Sequence, residues 1–282
     1  MTSFKPLAAA LGSEVVDIDL SRPVGEADFR AIERTFDERS VLLLRGQDID
    51  PGRHIEFSRR FGDLEIHVLK QFLLPGHPEI LVVSNMVENG VQVGIADAGQ
   101  QWHTDLSYVE KPSRCSLLYA RIVPPAEDGR SYGDTCFVST SAAYDALDPD
   151  MQAYLGTLKA RHSYYLKRPH ALAKLSDEQR RSVPEVVHPV VRTHPATGRK
   201  CLYINESFTT EIIGLDKEES DALLQHLCEH CRSERFMYRH RWQAGDLLMW
   251  DNCSTQHLAV ADYGPHQHRY MHRTTVRGGA VF

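Results

Sequence analysis

The sequence predicts a mainly β protein with helices packed outside a sandwich or barrel core. Three observations carry that expectation. From residue 80 onward the apolar residues fall in short runs separated by turn residues, which is strand spacing. Helical periodicity is confined to a few segments, near residues 26–39, 51–62, 148–161 and 223–231. The composition, 42% hydrophobic and 25% charged over 282 residues, suits a large core that needs neither disulfide nor metal to fold, and excludes a disordered, collagen-like or disulfide-framework chain. No repeat, low-complexity tract or Pro/Gly/Ser-rich linker divides residues 1–282, so they read as a single domain.

The elements follow in order. Glu26 to Arg39 is helical, with Phe29, Ile32 and Phe36 at spacings of three to four. Val41 to Leu44 is a short apolar strand that stops at Gly46. Asp50-Pro51 is an N-cap and first-turn pair, opening a second helix that ends near Gly62. Ile80 to Val83, Ser116 to Ile122 and Thr135 to Val138 read as strands. Asp148-Pro149 opens a helix running toward Arg161. Phe236, Tyr238, His240 and Trp242 then alternate with Met237, Arg239 and Arg241 at strand period. Gln243 to Asp246 turns the chain into a strand at Leu247 to Trp250, and the β-branched Thr274 to Val276 is the last strand.

Charge and cysteine usage exclude several function classes. The net charge is −6, and no basic cluster offers a surface for nucleic acid. Met1 to Ser13 lacks the shape of a signal peptide, and no apolar run is long enough to span a membrane, so a soluble, cytoplasmic protein is expected. Of the six cysteines only Cys228 and Cys231 have a metal-like spacing, and no second such pair exists. With Leu223, Leu224 and Leu227 they fall on a helix, which favours a core-facing Cys231 and an ordinary Cys228 over a zinc site.

Among fifteen histidines, His103-Thr104-Asp105 places an imidazole and a carboxylate two residues apart. On extended backbone such residues share a face and can ligate one ion. Two histidines and one carboxylate form the facial arrangement that suits non-haem Fe(II) and leaves coordination positions open. The third ligand must come from a distant strand, and His257, at the end of Trp250-Asp251-Asn252-Cys253-Ser254-Thr255-Gln256-His257, is the candidate. Arg269 and Arg273 share a face if they lie on a strand, with roots roughly 13 Å apart at about 3.3 Å per residue. That separation suits two different anions, and the planar arginine fork favours carboxylate or sulfonate.

Several blocks in order make the chain recognisable. They run from Gly12-Ser13-Glu14-Val15-Val16-Asp17-Ile18-Asp19-Leu20 through Phe61-Gly62-Asp63-Leu64 and Gln101-Trp102-His103-Thr104-Asp105. Gly133-Asp134-Thr135, His188 to Pro195, Asn205-Glu206-Ser207-Phe208-Thr209-Thr210 and Gly245-Asp246 through His257 follow. On these residues the chain resembles the taurine dioxygenase/2,4-dichlorophenoxyacetate dioxygenase family of Fe(II)- and 2-oxoglutarate-dependent oxygenases, over nearly its whole length.

The resemblance implies a double-stranded β-helix (jelly roll) core and a homodimer or homotetramer. It makes His103, Asp105 and His257 the Fe(II) ligands, with O2 and 2-oxoglutarate as cosubstrates. Thr135 and Arg269 match the positions that hold the far carboxylate of 2-oxoglutarate. Arg273 matches the position that meets the acidic group of a small anionic organic substrate, and His67 a substrate-pocket histidine. Lys70 adds positive charge near the pocket mouth in this reading, and Tyr108, Tyr164, Tyr165 and Phe208 are candidates for its apolar lining. The implied reaction is hydroxylation of a taurine-like sulfonate or related acid, with succinate and CO2 as coproducts. Where the hydroxylated carbon bears a heteroatom, the product collapses to an aldehyde or ketone. An aryloxyalkanoate or other carboxylate substrate, or a desaturase or epoxidase outcome, is the alternative, and a non-catalytic metal- or ligand-binding module a more distant one. A halogenase is disfavoured because Asp105 occupies the position that such enzymes leave small.

Overall fold

The computed structural model describes residues 2–96, 98–127, 129–164 and 185–282. The chain opens with strands β1 (Ser3–Pro6) and β2 (Ser13–Val16), followed by helix α1 (Glu26–Arg39) and strand β3 (Val41–Leu44). Ser40, left-handed at φ 64°, closes α1 with its N–H on Phe36 O. Helix α2 (Pro51–Arg59) starts where Asp50 accepts a hydrogen bond from Arg53 N, and it ends three residues before Gly62. Strands β4 (Leu73–Leu74), β5 (His77–Ser84), β6 (Val87–Glu88), β7 (Val91–Gln92), β8 (Cys115–Ile122) and β9 (Thr135–Ser139) come next. Then follow α3 (Thr140–Asp145), α4 (Pro149–Leu155) and β10 (Lys159–His162). After residue 185 come β11 (Val186–Pro189), β12 (Val191–Thr193), β13 (Lys200–Leu202), β14 (Thr209–Ile212) and helix α5 (Lys217–Cys231). The chain finishes with β15 (Met237–His240), β16 (Leu247–Asp251), β17 (Thr255–Ala259) and β18 (Tyr270–Val276).

An eight-stranded sheet, in the order β1-β2-β3-β16-β8-β18-β5-β4, faces a three-stranded sheet ordered β15-β9-β17. Alternation sorts the large sheet's side chains into two cores. Leu42, Leu44, Leu117, Tyr119, Leu247, Met249 and Val276 face helices α1 and α2, where Phe29, Ile32, Phe36, Ile55 and Phe57 cover them. Val41, Leu43, Leu118, Leu248, Trp250 and Met271 face the other way and meet Phe137 and Trp242 from the small-sheet side. The unbroken apolar run of β3 is explained by this two-sided burial. Helices α3, α4 and α5 enclose a further core with Ala160, Leu202, Ile204 and Ile212. No helix among the described residues is long and apolar enough to cross a membrane.

Two expectations need correction. The helix opened by Asp148 ends at Leu155, with Gly156 as its cap, and Lys159–His162 forms a strand instead. Those residues are held on both sides by β11 and β14, a tertiary pairing that overrides local helix compatibility. The alternating segment 236–242 is regular strand only over Met237–His240, because β9 offers partners only from Val138 to Thr135. Phe236 belongs to a 3-10 turn, yet Phe236, His240 and Trp242 are all buried as the alternation requires. Cys228 and Cys231 are both buried on α5, so Cys228 packs inward as well.

Candidate active site

His257 lies at the middle of β17, whose pairing with β9 sets it opposite Phe137. On the other side its backbone meets His103: His103 N donates to His257 O at 3.1 Å, and His257 N to His103 O at 2.8 Å. This directly opposed antiparallel pair puts both rings on one face, with centroids 4.0 Å apart. Asp105 follows two residues after His103, and its N–H donates to Asn252 Oδ1 at 3.2 Å. One ligand atom from each of His103, Asp105 and His257 lies within 4.8 Å of the others, and all three residues are buried.

The surroundings decide which atoms face the centre. His103 Nδ1 bonds to the carbonyl of Gln101 at 2.8 Å, which keeps the ring proton there and leaves Nε2 bare, 3.6 Å from Asp105 Oδ1. Ser116 Oγ donates to Asp105 Oδ2 at 2.7 Å, leaving Oδ1 toward the histidines. Asn252 Nδ2 donates to Ser113 and Ser116, so one amide ties the Asp105 backbone and its supporting hydroxyl together. Burial works against charge on Asp105, but the Arg273 guanidinium beside it holds the carboxyl well below its ordinary range. Burial, with the neighbouring His103, pushes His257 well below the usual imidazole range, so its ring is neutral. Two imidazoles and one carboxylate, with the other carboxylate oxygen already engaged, fit an Fe(II) ion that keeps open positions.

A second centre lies at the head of β9. Thr135 is 2% exposed, and its Oγ1 accepts from Trp242 Nε1 at 2.9 Å. Arg269, also buried, has its guanidinium carbon 5.8 Å from the Trp242 ring, and its Nε has no hydrogen-bond partner. Burial pulls the Arg269 pKa down, with Tyr263 offsetting part of that, and the group stays cationic at neutral pH. Gly133, at φ 68°, forms the floor, where a Cβ would lie 3.2 Å from the Tyr263 ring and 3.3 Å from Arg269 Cδ. Among the described residues this buried cation has no carboxylate partner, so the pocket fits a carboxylate such as the far end of 2-oxoglutarate.

Arg273 lies on β18 and, like Met271, turns toward the inter-sheet space, whereas Thr274 and Val276 meet α2 and its core. Its Nη1 is 3.4 Å from Asp105 Oδ1, and its Nε has no partner. His67 accepts from Leu69 N on Nδ1, and burial plus Arg273 lower its pKa to about 4, only partly opposed by Asp105. It is therefore a neutral ring with its proton on Nε2. Lys70 is exposed on the 3-10 turn Lys70–Phe72, and among the described residues no ion pair or side-chain hydrogen bond joins it to the triad or Arg273. Phe208 lies 6.2 Å from the His103 ring, Tyr108 lies 4.7 Å from Phe208, and Tyr164 lies 4.8 Å from Tyr108. Tyr165 lies outside the described residues.

Other buried or half-buried histidines are engaged elsewhere: His194 with Asp251, His240 with Asp246, His188 with Val109 O and His230 with Ala143 O. His272 faces away from Arg273, toward His54 under α2, as alternation requires. Sequence reasoning missed Ser116, Asn252, Gly99 and the contacts of Trp242. The first three have no local signal, whereas the inward alternation of Trp242 marked it as buried. Gly99, at φ 77°, comes so close that a Cβ would lie 3.0 Å from His103 Cε1.

Comparison with known proteins places this geometry among relatives. The family described as "Taurine catabolism dioxygenase TauD, TfdA family" matches residues 3–275. The alpha-ketoglutarate-dependent 2,4-dichlorophenoxyacetate dioxygenase of Cupriavidus pinatubonensis is 38% identical, over 98% of each chain. The crystal structure of AAD-2 in complex with Mn(II) and N-oxalylglycine superposes with a TM-score of 0.83 at 31% identity, covering 100% of this chain and 99% of that one. A taurine dioxygenase from Burkholderia xenovorans superposes with a TM-score of 0.83 at 29% identity, covering 99% and 90%.

Proposed function

The chain belongs to the TauD/TfdA dioxygenase family and is an Fe(II)- and 2-oxoglutarate-dependent dioxygenase that uses O2; from that premise we propose that it oxidises a small organic acid with an aromatic or bulky apolar body, of the aryloxyalkanoate kind. His103, Asp105 and His257 hold the iron, which when bound supplies oxidation of the substrate coupled to decarboxylation of 2-oxoglutarate to succinate and CO2. Thr135 and Arg269 hold the far carboxylate of 2-oxoglutarate. Arg273 and the neutral His67 bind the substrate's acid group. Tyr108 and Phe208, with Tyr164, receive the apolar body. The facing large and small sheets support a double-stranded β-helix as the scaffold. The same reading expects a cytoplasmic homodimer or homotetramer, for which light scattering after size exclusion is the direct test of assembly.

One observation carries the substrate class. The acid-binding Arg273 lies 3.4 Å from Asp105, while the Tyr108–Phe208 cluster starts 6.2 Å from the His103 ring. An acid held by Arg273 thus has the metal centre beside it and aromatic rings beyond. Arg273 alone would serve a taurine-like sulfonate equally well, and this is the second reading. Hydroxylation of an aryloxyacetate next to its ether oxygen gives a hemiacetal that collapses to a phenol and glyoxylate. The test is succinate formation and phenol release with phenoxyacetates, set against succinate formation with taurine. Turnover of taurine without turnover of any phenoxyacetate would replace the first reading by the second.

A further inference from the structure

We propose that Trp242 is a positioning residue for 2-oxoglutarate, acting through both Thr135 and Arg269. The inference rests on the reading that those two residues hold the far carboxylate. An indole is a donor only, whereas a threonine hydroxyl has one proton to give and can accept from others. Trp242 Nε1–H donates to Thr135 Oγ1 at 2.9 Å, so it occupies the acceptor side of that oxygen. The Thr135 proton is left to donate, and among the described residues no acceptor takes it. The hydroxyl is therefore a ready donor for a carboxylate.

The same indole presents its ring to the Arg269 guanidinium at 5.8 Å, near the outer limit of a cation–π contact. Because Arg269 Nε has no hydrogen-bond partner, this ring and Tyr263 are the groups that settle the buried cation before an anion arrives. The ring is itself braced edge-on by His240, 4.6 Å away at 88°, and His240 is tied to Asp246. One side chain thereby orients the neutral donor and the cation of a single carboxylate pocket. A purely packing role would leave Thr135 and Trp242 energetically independent.

The experiment is anaerobic calorimetric titration of Fe(II)-loaded protein with 2-oxoglutarate, using wild type, Arg269→Gln, Thr135→Val, Trp242→Phe and the Thr135→Val/Trp242→Phe double variant. Trp242→Phe keeps a ring and removes the N–H, and it should raise the 2-oxoglutarate Kd about 3- to 10-fold, the scale of one lost hydrogen bond. In the Thr135→Val background the same change should add much less, while Fe(II) affinity holds. If Arg269→Gln and Thr135→Val both bind 2-oxoglutarate like wild type, the cosubstrate reading itself fails. If they weaken binding but Trp242→Phe does not, or if its effect is the same in both backgrounds, the role of Trp242 is overturned. Should Trp242→Phe not fold, NMR of Zn(II)-loaded wild type decides: the assigned Trp242 indole N–H resonance must shift on adding 2-oxoglutarate, and an unmoved resonance overturns the proposal.

Discussion

His103 and His257, 154 positions apart in the chain, exchange both of their backbone hydrogen bonds. The two rings are therefore placed by backbone pairing, before any ion binds. Their separation depends on strand register more than on side-chain packing.

Because the pairing is main chain to main chain, His257→Ala should fold normally and lose iron. Its Fe(II) affinity should fall by at least about 100-fold, beyond what outer-shell changes typically cost. Equilibrium dialysis with iron quantification, beside a thermal melt, checks this. Wild-type iron binding would remove His257 from the site.

Ser116→Ala removes the donor on Asp105 Oδ2 and leaves a buried carboxylate oxygen without its partner. Iron affinity should drop about 10- to 100-fold, the usual range for an outer-shell ligand support. The same dialysis reads it, and an unchanged affinity would show that Asn252 and the backbone suffice.

Gly99→Ala should act on the His103 ring itself. A methyl group there would sit 3.0 Å from Cε1, on backbone at φ 77°. The conformation alone costs about 1–2 kcal/mol, and the displaced ring should weaken iron as well. Denaturant unfolding of the metal-free protein measures the first effect and dialysis the second.

Arg269 and Arg273 should separate kinetically. Arg269→Gln should raise the KM for 2-oxoglutarate, and Arg273→Gln should mainly raise the KM for the organic acid. Steady-state succinate formation with each substrate varied in turn distinguishes them. The same 2-oxoglutarate defect in both variants would refute the division.

Acid should destabilise the metal-free protein through its buried histidines. Burial lowers His54 to about 3 and His272 to about 4, from 6.5. Between pH 6.5 and those values the unfolded chain binds protons that the folded chain refuses. Stability is thus fully present above pH 6.5 and falls as pH drops toward 4. His272→Gln should flatten the decline by up to about 1.4 kcal/mol per pH unit. Chemical denaturation at a series of pH values tests this, and an identical slope in the variant would contradict it.

How much of this was readable in the sequence depended on where the causes lay. The bounds of α1 and β3 were visible because apolar spacing and a closing Gly46 are local signals. The strand at Lys159–His162 was not, because it is made by partners on both sides rather than by its own residues. The candidate iron site was visible as chemistry, since two histidines and an aspartate are the ligand types themselves. Ser116 and Asn252 were hidden because a serine and an asparagine become supports only when β8 and the turn after β16 bring them to Asp105. Lys70, three residues after His67 in sequence, is exposed on its 3-10 turn.

The most direct test of the central claim is an anaerobic absorbance titration with Fe(II) and then 2-oxoglutarate, run on wild type and His257→Ala. The account predicts a visible metal-to-ligand charge-transfer band in wild type that saturates with 2-oxoglutarate and is missing from His257→Ala. An equally strong band in the variant, or none in folded, iron-loaded wild type, would contradict the assignment of His103, Asp105 and His257 as the iron site.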